Sequence, residues 1–92
     1  MHKETKSMTE AEPKLLLLRY NVLSKERAEA AYMWSLTGKS AYEKARWLEC
    51  VDEMEKISNE LRSYGYELVC TGTKATSKTQ YRVYKIVHVH SN

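Results

Sequence analysis

The hydrophobic pattern of this chain changes period along its length. In "YELVCTG" (66–72), apolar and polar positions alternate, with Tyr66, Leu68 and Cys70 on one side. "TQYRVYKIVHVH" (79–90) is longer and rich in β-branched and aromatic residues. The two segments read as strands of a hairpin joined by "TKATSK". Upstream the period lengthens. Trp47, Cys50, Val51, Met54, Ile57, Leu61 and Tyr64 recur at helical spacing and predict a helix over about 41–64. Ser40 and Glu43 form an S-x-x-E capping box at its start, and Gly65 ends it.

A shorter helix is predicted over about 25–36. Ser24 serves as its N-cap, and Ala28, Ala31, Tyr32 and Leu36 form its buried side. Gly38 suits a left-handed C-cap.

"KLLLLRYNVL" (14–23) admits two readings. Its leucines favour a helix, and Pro13 can start one. Tyr20, Asn21 and Val22 are poor helix formers, and Ser24 looks like a fresh start. The reading adopted is a strand. Residues 1–13 read as a polar tail closed by Pro13, although "TEAE" (9–12) resembles a capping box. The expectation is then one α+β domain over 14–92 in the order β-α-α-β-β. It has a three-stranded, mainly antiparallel sheet with two helices packed on one face.

Sorting the expected strands by face puts Leu16, Leu18, Tyr20, Val22, Tyr66, Leu68, Cys70, Tyr81, Val83, Val87 and Val89 under the helices, with Lys85 breaking the pattern near an edge. Leu17, Arg19, Asn21, Val69, Thr71, Arg82, Tyr84, Ile86 and His88 fall on the other face, which nothing else in the chain covers. A bare face of that composition is a candidate binding surface.

Charge sharpens this picture. The net charge is only +3, but residues 68–92 hold four of the 15 Lys and Arg and none of the 12 Asp and Glu. Such asymmetry points to an anionic partner; a merely soluble hairpin is the plainer meaning. The aromatics are seven Tyr and two Trp with no Phe, a choice favoured at interfaces over pure cores. Two binding modes follow. In the first, Tyr84 stacks a base of DNA or RNA while Arg19, Lys74, Lys78 and Arg82 hold phosphates, with Lys85 counted among the binding residues. In the second, the same face packs on a protein, either another copy in a homodimer or a larger enzyme that this chain regulates or inhibits. Nucleic acid is preferred by a narrow margin.

Other chemistry is thinly represented. His88 and His90 form H-x-H on a strand, a metal-ligand geometry without an evident third or fourth ligand. There is no Gly-rich phosphate loop, HExxH or nucleophile elbow, and at 92 residues a deep pocket is hard to build. The expectation is a non-enzymatic module with no cofactor. Cys50 and Cys70 lack CxxC spacing, the start "MHKETKSMTE" lacks an apolar core, and the longest apolar run is "LLLL". A cytoplasmic protein with reduced thiols and no membrane association is expected.

Overall fold

The computed structural model describes residues 11–89, and Ala11 in backbone only. Two helices precede two strands: α1 (Ala11–Leu36), α2 (Ala41–Ser63), β1 (Tyr66–Ala75) and β2 (Gln80–His88). The strands form a two-stranded antiparallel sheet, so the expected third strand is absent from the described residues. The expected order β-α-α-β-β is corrected to α-α-β-β.

The error lies at 14–23, which is helical from end to end. α1 runs for 26 residues, so the helix expected over 25–36 is only its second half. Pro13 sits buried in the first turn, where its missing N–H costs nothing. Ser24 does not cap a helix; it is buried in the middle of one. Its hydroxyl donates to the Arg82 carbonyl at 2.7 Å, across to β2. Asn21 also reaches β2: its amide nitrogen donates to the Tyr84 carbonyl at 3.0 Å, and its amide oxygen accepts from the Tyr84 N–H at 2.8 Å. Asn21 and Ser24 thus bond to the β2 edge that does not face β1. A helix occupies the place of the third strand. The residues that argued against a helix satisfy that edge instead.

α2 begins as the sequence indicates. Ser40 is its N-cap and accepts from the Tyr42 N–H at 3.2 Å. Glu43 does not complete a capping box; its carboxylate takes Arg46 at 3.0 Å. The helix closes at Tyr64, and Gly65 then turns the chain into β1 with φ 89°, a value costly for any side chain. Its buried residues, Cys50, Met54, Ile57 and Leu61, are four of the seven in the stripe read from the sequence; Val51 and Tyr64 are only half-buried, and Trp47 is exposed. The buried four form the core with Leu23 of α1, and Leu16, Tyr20, Tyr66, Leu68 and Ile86 pack around it. Leu61 is fully buried, at 0% exposure.

The hairpin register corrects the face assignment. Tyr66, Leu68 and Cys70 stand opposite His88, Ile86 and Tyr84, and opposed residues share a face. Since Leu68 and Ile86 pack on the core, Tyr84 faces the helices as well, edge-on to Tyr20 with ring centroids 5.0 Å apart. Val83, Lys85 and Val87 therefore alternate onto the outer face. The expected parity of β2 was off by one. A bulge between Cys70 and Gly72 shifts the pairing beyond it, so that Lys74 meets Tyr81.

Candidate nucleic-acid interface

The turn between the strands is built by one threonine. The Thr76 N–H donates to the Thr79 carbonyl at 2.7 Å, and the Thr76 hydroxyl oxygen accepts from the N–H groups of Lys78 and Thr79 at 3.1 and 3.0 Å. This fixes the backbone that carries Lys78 at the hairpin tip. Lys74, Lys78, Arg82 and Lys85 are all exposed. The ion pairs among the described residues are Arg19–Glu53, Arg46–Glu43 and Lys56–Asp52, so none of these four cations is neutralised by a neighbour.

Where the hairpin meets the helices, a cleft of about 350 Å³ opens. Ser24, Arg27, Ala28 and Ala31 of α1, Trp47 of α2, and Thr73, Gln80, Tyr81 and Arg82 of the hairpin line it. Two arginines and one tryptophan line it without a carboxylate, while Tyr81 borders it from a β2 position that shares the outer face with Val83 and Lys85. That combination suits a phosphate with an adjacent planar group. Arg27 and Arg82 come from separate elements. The Ser24–Arg82 hydrogen bond holds these two elements together.

The six residues expected to bind do not form one surface. Arg82 lines the cleft, and Lys74 lies beside it, opposite Tyr81. Lys78 is at the tip of the same hairpin. Arg19 is on α1, not on a sheet face, and its guanidinium is held by the Glu53 carboxylate at 3.1 and 3.2 Å. That hydrogen bond and charge push its pKa further up. Tyr84 packs against Tyr20 instead of projecting outward, and Lys85 is on the outer face. His88 lies edge-on to Tyr66 at 5.0 Å, and His90 falls outside the described residues. Among the described residues, no three His, Cys, Asp or Glu side chains are grouped to hold a metal ion.

Arg27, Trp47 and Tyr81 were not singled out by the sequence as ligand residues. One signal did mark Trp47: the first turns of α2 carry Ala41, Tyr42, Ala45, Trp47 and Leu48 most of the way round. The structure leaves that region open, with Tyr42, Trp47 and Leu48 exposed.

Comparison with known proteins finds no family model, curated protein or solved structure that matches the chain. No described helix is long and apolar enough to cross a membrane. Both cysteines are free, Cys50 buried and Cys70 exposed.

Proposed function

We propose that this protein is a non-enzymatic, cytoplasmic binding module that takes nucleic acid along its C-terminal hairpin and the adjoining cleft. The carrying observation is that Arg27, Arg82 and Trp47 line one acid-free cleft, on the same hairpin that carries the exposed Lys74 and Lys78, neither of which joins an ion pair among the described residues. The lysines supply sequence-independent phosphate contacts, and the cleft supplies a site for orientation. The acidic surface of α2 keeps away from the polyanion.

The test is titration of labelled DNA and RNA, single- and double-stranded, followed by fluorescence anisotropy at about 50 mM salt, where counterion release favours binding strongly. Binding tighter than millimolar that weakens with salt supports the reading; its absence for all four ligands rejects it.

A protein partner is the second reading, and a different surface favours it. Leu15, Leu18 and Val22 form a stripe on the solvent side of α1 and are 63%, 62% and 47% exposed. Such a stripe fits a partner helix or a larger enzyme. A chain that migrates as a dimer or higher species and ignores nucleic acid would select this reading.

A further inference from the structure

A second cleft of about 280 Å³ lies at the corner between α1 and α2, lined by Ala31, Trp34, Lys44 and Trp47. Ala31 and Trp47 also line the basic cleft, so the two meet along these residues. One side is therefore apolar and aromatic, the other polar and cationic. The apolar side, at about 280 Å³, falls just below the usual range for small-molecule sites, which matches a single ring system better than a larger ligand. Lysines rim it. Lys44 is part of the lining, and the Lys39 ammonium sits 5.7 Å from the centre of the Trp34 ring. Lys39 adopts φ 71°, an unusual value for a residue other than glycine, and its N–H donates to the Trp34 carbonyl at 2.8 Å. The turn thus keeps a positive charge over one face of the indole.

We propose that this corner is a base-binding pocket for single-stranded nucleic acid: an unpaired nucleobase enters against Trp34 and Trp47, and its phosphate lies in the neighbouring cleft between Arg27 and Arg82. The inference rests on the nucleic-acid reading above and narrows it to strands with unstacked bases. The chemistry is complementary. An aromatic wall accepts the flat face of any base, and the guanidinium groups take the phosphate attached to the same nucleotide. Sequence preference is weak, because indole stacking does not read base edges.

The chain contains two tryptophans, and both line this pocket, so tryptophan emission, excited at the red edge where the seven tyrosines do not absorb, reports on it alone. The experiment titrates the whole protein with a short labelled single-stranded oligonucleotide, and with an abasic strand of equal length. Oligonucleotide binding is read by anisotropy and pocket occupancy by tryptophan emission. The expected result is saturable quenching with the same midpoint as the anisotropy change. The abasic strand should bind about 10-fold more weakly and leave emission unchanged. Trp47→Ala should weaken binding of the normal strand by about the same factor and make no difference to the abasic one. Trp47 is 37% exposed and outside the core cluster, so the fold should survive; a thermal melt checks this. The abasic comparison needs no variant. Equal affinity for both strands, or unchanged emission at saturation, overturns the base pocket while leaving the nucleic-acid reading intact. Failure of every oligonucleotide to bind removes both.

Discussion

The side chain of Asn21 pairs with the backbone of Tyr84 in both directions, donating to its carbonyl at 3.0 Å and accepting from its N–H at 2.8 Å. A primary amide presents the same donor and acceptor as a peptide, so one side chain imitates a residue of an adjacent strand. Substitution by Ala removes both bonds and leaves two strand groups without partners at a part-buried site. Asn21→Ala is expected to cost about 1–3 kcal/mol in a urea melt. Asn59→Ala, which loses only an exposed bond to Arg62, should cost about 0.5 kcal/mol or less. Equal losses would show that the α1–β2 bridge contributes nothing special.

The core is small and mostly on α2, so its truncation is serious. Ile57→Ala should destabilise by roughly 2–5 kcal/mol and Glu55→Ala by about 0.5 kcal/mol or less, because Glu55 is exposed. Denaturant midpoints of the two variants test this directly.

Phosphate binding should distinguish free cations from committed ones. If the hairpin binds nucleic acid, Lys78→Ala should lower the slope of log affinity against log salt by about 1. Arg19→Ala should leave that slope unchanged, since Glu53 already occupies its guanidinium. A lower slope for Arg19→Ala would return α1 to the binding surface.

The two thiols should differ in the native protein. Cys70 is exposed and should react with a thiol reagent at once, whereas Cys50 should wait for unfolding. No reductant should be needed for either. Burial, followed by the nearby Glu26 charge, raises the Cys50 pKa above its ordinary value of 9.0. A raised thiol pKa favours the protonated folded form. Its contribution to stability is full below about pH 9 and is lost as the pH rises through the higher folded value. Burial, and then Tyr84, raises the Tyr20 pKa above 10.0, with the same sign. Stability should therefore fall at alkaline pH, and Cys50→Ala should reduce the first part of that fall in pH-dependent melts.

The parts of this fold that could be read from the sequence were those whose local signals agreed. Ser40, the stripe from Cys50 to Leu61, and Gly65 all describe one helix, and α2 runs from Ala41 to Ser63. The hairpin was legible for the same reason: two runs rich in strand formers flank a loop of Thr, Ser and Lys. The segment 14–23 carried conflicting signals. Asn21 and Ser24 disfavour a helix locally, but each has a hydrogen-bond partner in β2 that only the tertiary structure reveals. The parity of β2 was hidden too, because both of its faces carry apolar residues. The cleft was harder still. Arg27, Trp47 and Arg82 come from three elements, and no single stretch of sequence holds their arrangement.

The Asn21 bridge also makes one amide a reporter. Tyr84 lies on the side of β2 that β1 does not cover, where backbone N–H groups ordinarily exchange with solvent quickly. Its proton is held by a side chain 63 residues earlier in the chain. Exchange at Tyr84 therefore measures how often α1 lifts away from the hairpin, a motion that need not unfold either one. In a deuterium-exchange experiment this proton should be slow in the intact protein and fast in Asn21→Ala, while amides within α2 keep their rates. Equal acceleration of the Tyr84 and α2 amides in Asn21→Ala would instead mean that the two halves open only together.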